Sequence, residues 1–357
     1  MKLLATLGQS GHEQVVFFQD RHASLRCIVA IHSTVLGPAL GGLRMWPYAS
    51  EEDALRDVLK QSSAMTYKAA IAGLNLGGAK AVLIGNPEND KSEALFRSLG
   101  RFIASLSGRY ITAEDIGTNV DDMELIQQET RHVVGVHQVN GGSGDPAPFT
   151  ALGTLHGIRA CLEFKYGHSD VSRASFAIQG AGQVGRHLAR HLCDAGAKVF
   201  ITDINEERVE HVVNECGAVA VPMAQIYDVD ADVFAPCAFG AVINEDTLPR
   251  LRCKIVAGGA NHQLESEELG TELDRRGILY APDYAINAGG LMNSAVELDG
   301  YTVERAERSV ARIHGIIGRI LRLSAAEKMP TWQAAKKLAE DRLEAIGRIR
   351  LPYISTE

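Results

Sequence analysis

The stretch Phe176-Ala177-Ile178-Gln179-Gly180-Ala181-Gly182-Gln183-Val184-Gly185 decides the fold of the C-terminal half of the chain. Residues 176–178 are a short apolar run that reads as a strand. The glycines that follow have G-x-G-x-x-G spacing, and a helix opens at Gln183 and runs to about Ala195. In such a turn Gly180 permits the tight reversal, Gly182 lets backbone amides approach a pyrophosphate, and Gly185 lets the helix lie close on the strand. The first helical turn, with Gln183 and Val184, offers N–H groups and the positive end of the helix dipole to phosphates. A glycine-rich strand-to-helix turn can also be purely structural, so its surroundings matter. The next strand ends at Asp203, close to the roughly 20-residue spacing at which a carboxylate holds ribose hydroxyls. Ile204 and Asn205 follow it rather than an arginine, which favours NAD over NADP.

Outward from this turn the pattern is regular. Strand-like runs at 175–179, 198–202, 218–221, 231–235, 254–257 and 278–281 are mostly separated by helical stretches. Short apolar strands alternating with helices predict a parallel sheet covered on both faces, and six of them fit one doubly wound dinucleotide-binding domain. Upstream, strands are expected at 15–18 and 24–34. A helix is expected over 51–65, with Ser50 as N-cap and Asp53 in the capping-box position, and another over 92–107. The loop Gly141-Gly142-Ser143-Gly144-Asp145-Pro146-Ala147-Pro148 marks a change of character and a hinge between domains. Two long amphipathic helices are expected over 302–323 and 331–346. The second is expected to pack back on the first domain, giving residues 1–140 with 329–357 as a catalytic and oligomerisation domain and 141–328 as the nucleotide domain.

Composition narrows the function classes. The chain has 357 residues, a formal charge of −8 and 46% hydrophobic residues. The acidic balance argues against nucleic acid as a partner, because phosphate contacts need clustered Lys and Arg. No run of about 18 apolar residues could span a bilayer, and the N-terminus lacks a signal-peptide pattern. The six cysteines stand far apart with no C-x-x-C pair, the usage of a reduced cytoplasmic protein. His187 and His191 lie four apart on one helix but lack a third ligand, so no metal is expected. Glycine is in excess, 35 of 357 residues against roughly 7% in ordinary usage.

Seven of the 35 glycines fall between Gly37 and Gly85, around two lysines. Gly41-Gly42-Leu43-Arg44, Met65-Thr66-Tyr67-Lys68 and Gly73-Leu74-Asn75-Leu76-Gly77-Gly78-Ala79-Lys80 concentrate unusual residues, and Lys80 leads straight into an apolar strand at 81–84. A lysine between a glycine pair and a buried strand is not an ordinary solvated charge. If Lys68 and Lys80 share a cleft at roughly 6–7 Å, their repulsion at an effective dielectric near 20 is about 2.5 kcal/mol, or nearly two pKa units. One lysine would then act as a base while the other holds an anion. Thr112-Ala113-Glu114-Asp115 supplies a carboxylate where a strand becomes a loop, with Glu114 competing with Asp115 for that role.

These three stretches, with Leu36-Gly37-Pro38-Ala39-Leu40 ahead of the first, resemble the Glu/Leu/Phe/Val amino-acid dehydrogenases, and within them the leucine-type enzymes. The likeness runs on through 113–118, Pro148-Phe149-Thr150-Ala151, 180–185, Pro236-Cys237-Ala238, Gly258-Gly259-Ala260-Asn261 and Asp283-Tyr284-Ala285-Ile286-Asn287-Ala288-Gly289-Gly290. The resemblance implies an α/β protein of two domains, a mixed α/β catalytic domain and a Rossmann-type doubly wound NAD domain. It implies reversible oxidative deamination of a branched-chain L-amino acid to the 2-oxo acid and ammonium. Lys68 would bind the substrate carboxylate, Lys80 would activate water, and Asp115 would carry protons to and from the amine. Gly42 and Asn261 would place the substrate, and Leu40, Ala113, Leu291 and Ser294 would line its side-chain pocket. Thr150 would hold the nicotinamide amide, with Cys237, Ala238, Asn261 and Asn287 also on the cofactor. A homo-oligomer is implied, an octamer in leucine-type members.

Two departures stand out. Ala79 replaces the family's usual third glycine, and Leu291 and Ser294 stand where valines are usual, so substrate preference is less fixed than the reaction. A phenylalanine or tryptophan dehydrogenase is the alternative within the family, and a non-catalytic NAD-binding sensor the alternative outside it. Hydride transfer is expected to need closure of an interdomain cleft about hinges at 141–148 and at a chain crossing at 287–290.

Overall fold

The computed structural model describes residues 8 and 10–349. The described residues divide into two compact units: 8 and 10–144 with 297–301 and 338–349, and 145–296 with 302–337.

In the first unit, β1 (Gln14–Asp20), β2 (Leu25–Ser33), β3 (Ala39–Trp46), β4 (Gly77–Ile84) and β5 (Tyr110–Glu114) form one sheet in the order β1-β2-β4-β3-β5. The β3, β4 and β5 strands run parallel, while β2 is antiparallel to both β1 and β4. Alternation sorts side chains onto two faces. Leu43 and Met45 of β3 with Ala79, Ala81 and Leu83 of β4 join the core beneath α2 (Glu93–Ser105) and α3 (Val120–Gln127). Ile28, Ala30 and Val82 face α1 (Glu51–Ile71) through Ala54, Leu55, Val58 and Leu59. Lys80 and Gly42, by the same period of two, lie on the α1 face.

Helix α1 runs to Ile71, past the expected end at Met65, because its buried residues continue through Thr66, Ala69 and Ala70. Ser50 caps it by accepting from Asp53 N at 3.1 Å. The Ser50 hydroxyl donates to the Asp53 carboxylate at 2.6 Å, so the reciprocal bond joins two side chains.

In the second unit, β6 (Ser175–Gln179), β7 (Lys198–Thr202), β8 (Val219–Ala220), β9 (Val233–Pro236), β10 (Ile255–Val256) and β11 (Leu279–Tyr280) form an all-parallel sheet. Its order is β11-β10-β9-β6-β7-β8, the doubly wound dinucleotide-binding order with its switch point beside β6. Helices α4 (Ala147–Tyr166), α5 (Gln183–Asp194), α6 (Glu206–Cys216), α7 (Glu267–Arg275), α8 (Asp283–Ile286), α9 (Gly289–Glu297) and α10 (Val303–Glu327) complete it.

Two expectations change. The segment 287–290 does not cross between units; it joins α8 to α9 within the second, with all four residues buried. The chain passes from one unit to the other at 144/145, 296/297, 301/302 and 337/338. The last helix, α11 (Thr331–Gly347), is shared. Trp332 packs with the second unit's core, and only residues from Leu338 onward belong to the first.

Candidate active site

Lys80 sits mid-strand on β4, opposite Ala30, with only 6% of its side chain exposed. A lone ammonium there would be strongly disfavoured. Its Nζ lies 3.0 Å from Asp115 Oδ2. Of the two adjacent carboxylates, Asp115 is therefore the one on Lys80. The turn after β5 fixes it: Asp115 N donates to Thr118 Oγ1 at 3.0 Å, and Thr118 Oγ1 donates to Leu43 O at 2.8 Å.

Gly42 makes the pairing possible. A Cβ there would stand 2.8 Å from Asp115 Cβ, 2.8 Å from Glu114 O and 3.4 Å from Lys80 Nζ. Leu40 is buried two residues earlier on β3, and Ala113 pairs with Gly42 across to β5. Lys68 lies in the last turn of α1. Thr66 touches Gly78 so closely that a Cβ on Gly78 would stand 2.1 Å from Thr66 N, so Lys68 and Lys80 each follow that contact by two residues.

Sequence reasoning gave no role to the groups flanking this pair. Arg44 Nε donates to the same Asp115 Oδ2 at 2.9 Å, and its Nη1 donates to Asp57 Oδ2 at 3.1 Å. Tyr48 OH donates to that Asp57 oxygen at 2.5 Å. Burial pushes the Lys80 ammonium down in pKa, and the Arg44 charge adds to that while Asp115 opposes it. Burial pushes Asp115 the other way, but Lys80 and Arg44 together hold its carboxyl below the usual carboxylate range. Arg44 is thus one like charge acting on Lys80, a group to which the sequence had given no such role.

The nucleotide half is built at the β6–α5 turn. Gly180 has φ +108°, and a Cβ on it would stand 2.7 Å from Ala238 N. Gly180 N donates to Thr202 O and Cys237 N to Gln179 O, which holds the turn against β7 and the end of β9. Gly185 rests on Gly180 O, at 1.9 Å from an added Cβ. Nothing lies within 4 Å of a Cβ added to Gly182, the N-cap of α5, so the space beside its N-terminal amides at Gln183 and Val184 is open. Asp203 accepts from Ala181 N at 2.6 Å and Asn205 N at 2.9 Å, which aims its carboxylate across the turn.

A second group lies on α4, α8 and α9. Thr150 Oγ1 donates to Pro146 O at 3.0 Å and would be 2.6 Å from a Cβ on Gly290. Asn287 Nδ2 donates to Asn261 Oδ1 at 2.8 Å and Ala260 O at 3.1 Å. Its own Oδ1 is buried with no hydrogen-bond partner among the described residues, an acceptor suited to an amide N–H. Leu291 and Ser294 are buried on α9. An open amide cradle, an aimed carboxylate and an orphaned amide oxygen fit a dinucleotide. Among the described residues no cluster of His, Cys, Asp and Glu is arranged to hold a metal ion. All six cysteines are unbridged, and among the described residues no helix is long and apolar enough to cross a membrane.

A doubly wound nucleotide unit together with a buried lysine paired to a half-buried aspartate points to the class of dinucleotide-dependent oxidoreductases. Residues 12–132 match the model for the Glu/Leu/Phe/Val dehydrogenase dimerisation domain, and residues 200–343 that for Glutamate/Leucine/Phenylalanine/Valine dehydrogenase. Leucine dehydrogenase of Thermoactinomyces intermedius is 48% identical over 100% of this chain and 98% of its own. Phenylalanine dehydrogenase of Bacillus thermotolerans is 46% identical over 95% of this chain and 90% of its own. The crystal structure of L-tryptophan dehydrogenase from Nostoc punctiforme superposes with a TM-score of 0.84 at 43% identity, covering 97% of this chain and 100% of that one. The chain belongs to the Glu/Leu/Phe/Val dehydrogenase family. It is an amino-acid dehydrogenase with a Rossmann-type unit for a nicotinamide dinucleotide.

Proposed function

We propose that this enzyme catalyses the reversible NAD-dependent oxidative deamination of a branched-chain L-amino acid, leucine first and isoleucine and valine with it. The observation that carries the reading is the buried Lys80 Nζ, 3.0 Å from Asp115 Oδ2 and beside the side-chain-free Gly42. Bound NAD, held by Gly180, Gly182, Gln183, Val184, Gly185, Asp203, Thr150, Cys237, Ala238, Asn261 and Asn287, supplies the acceptor for the hydride that leaves the substrate Cα. Lys68 holds the substrate carboxylate as a fixed cation, and Gly42 and Asn261 set its orientation. Asp115 takes a proton from the substrate ammonium, since only a neutral amine can become an iminium as the hydride departs. Lys80, with its proton affinity reduced by burial, takes a proton from the water that attacks the iminium carbon. Asp115 returns a proton to nitrogen, and ammonia leaves the carbinolamine as the C=O forms and the hydroxyl proton passes to solvent. The sum is amino acid, NAD⁺ and water to 2-oxo acid, ammonium, NADH and a proton.

Substrate choice is assigned to Leu40, Ala113, Leu291 and Ser294, as the family resemblance implies. One methylene is worth about 1–3 kcal/mol in an apolar pocket, so close homologues of leucine should all react. The relatives named for phenylalanine and tryptophan favour a second reading in which a larger ring is the substrate. Self-association is part of the proposal, supported by the match to a dimerisation domain, as is a cytoplasmic location, supported by six unbridged cysteines. The test is kcat/KM across a panel of L-amino acids with NAD and NADP, followed by NADH absorbance. Leucine, isoleucine and valine with NAD are expected to lead, and Lys80→Ala is expected to lose about 10²–10⁴-fold in kcat. Phenylalanine or tryptophan ahead of leucine severalfold replaces the substrate assignment, and rapid turnover by Lys80→Ala overturns the mechanism.

A further inference from the structure

Lys80, Asp115, Arg44, Asp57 and Tyr48 form one continuous chain of polar contacts. Both cations adjoining Asp115 sit on its Oδ2, and no partner lies on its Oδ1 among the described residues. A lone buried lysine–aspartate pair titrates as a unit: when the lysine gives up its proton, the carboxylate is left desolvated without a counter-charge. Each member then holds the other charged, which opposes the use of the lysine as a base. A guanidinium does not lose its proton at any working pH. With Arg44 Nε 2.9 Å from it, Asp115 retains a cation after Lys80 is discharged.

We propose that Arg44, anchored by Asp57 and Tyr48, is a positioning residue of the deamination reaction that keeps Asp115 an oriented anion, ready to take the substrate proton, in the free enzyme whose Lys80 is neutral. The assignment rests on the reading of function above. Arg44 is suited to this because its two anchored nitrogens point at two carboxylates, a geometry that a single ammonium cannot reproduce. The leftover Oδ1 of Asp115 is the atom available to exchange a proton with the substrate nitrogen.

The charged and titratable groups on this face come from every element around Lys80. They are Arg44 of β3, Asp115 just after β5, Tyr48 from the β3–α1 connection, Asp57 and Lys68 of α1, and His32 of β2, while Glu114, paired with Leu43, takes the opposite face by strand alternation. His32, bonded to Thr66 Oγ1 at 2.8 Å, is pushed by burial down to about 4, so it is neutral in the working range. Arg44 and Asp115 act on Lys80 with opposite sign, and removing Arg44 both deletes a like charge and tightens the remaining pair. Both effects keep Lys80 protonated to higher pH.

The experiment is the pH profile of kcat/KM for leucine and NAD in the full-length enzyme and in Arg44→Gln and Arg44→Lys. Arg44→Gln is expected to move the rising limb alkaline by about one pH unit, which below the limb is about tenfold in rate. Arg44→Lys keeps the charge and is expected to hold the limb near its wild-type position while lowering kcat. A lower rate at every pH with the limb of Arg44→Gln unmoved would mean a scaffold role only and overturns the proposal. If Arg44→Gln fails to fold, the lysine variant decides alone: a limb in place supports the proposal, and a limb displaced by a unit despite the retained charge overturns it. Failure of wild-type protein to turn over any amino acid falsifies the reading of function instead, so the two failures are distinct.

Discussion

Gly42 is the position where one atom has the largest consequence. The Cβ of an alanine would stand 2.8 Å from both Asp115 Cβ and Glu114 O, so the end of β5 must move to admit it. A displacement of a few tenths of an ångström carries Asp115 off Lys80 and Arg44 together, because both bonds end on the same oxygen. Gly42→Ala is therefore expected to fold and to lose about 100-fold in kcat, as read by NADH formation beside a circular-dichroism melt. Full activity in a folded Gly42→Ala protein would show that Asp115 tolerates the shift. Lys80 and Asp115 were legible in the sequence because each stands in an unusual local setting, a lysine entering a buried strand and an acid leaving one. Arg44 was not, because its partners Asp57 and Asp115 are 13 and 71 positions away and no local pattern joins them.

At the scale of elements, α11 supports the lysine-bearing segment. Arg342 Nη1 donates to Ala70 O at 3.0 Å, and its Nη2 donates to Asn75 Oδ1 at 3.0 Å. One side chain thus caps the C-terminus of α1 and pins the turn that leads into β4, the segment that contains both lysines. Arg342→Ala is expected to cost about 1–2 kcal/mol, seen as a lower melting temperature, and to raise KM for the amino acid more than it lowers kcat. An unchanged KM would separate the cap from substrate binding. Helical period predicted α11 correctly as a helix, yet period reports only that a face is apolar. It does not say which core the face meets, and here Trp332 and Arg342 serve different units. The strands of the parallel sheet were readable because burial on both faces gives continuous apolar runs. The short β8, β10 and β11 were overextended, since pairing rather than composition ends a strand.

At the scale of the whole molecule, the first unit carries the Lys80–Asp115 pair and the second the glycine turn between β6 and α5, and the role proposed for each can be tested alone. Asp203 faces the turn from the end of β7, accepting from Ala181 N. Its negative charge opposes a 2′-phosphate, so Asp203→Ala is expected to raise the ratio of NADP to NAD in kcat/KM at least tenfold, chiefly through loss of NAD affinity. A ratio that does not change would place cofactor choice elsewhere. The doubly wound order was legible from six runs and one glycine turn. The points where the chain passes between units were not, because 287–290 is glycine-rich for close packing on Phe149 and Thr150 rather than for bending.

The cap on α1 also orders events in time. Arg342 follows Ala70 by 272 positions, and the whole parallel sheet lies between them in sequence. During synthesis the sheet of the first unit can pair early, but the carbonyls at the end of α1 wait for their donor until α11 leaves the ribosome. The segment holding Lys68 and Lys80 thus receives this cap only once α11 has been made, and a nascent chain halted before α11 would lack it.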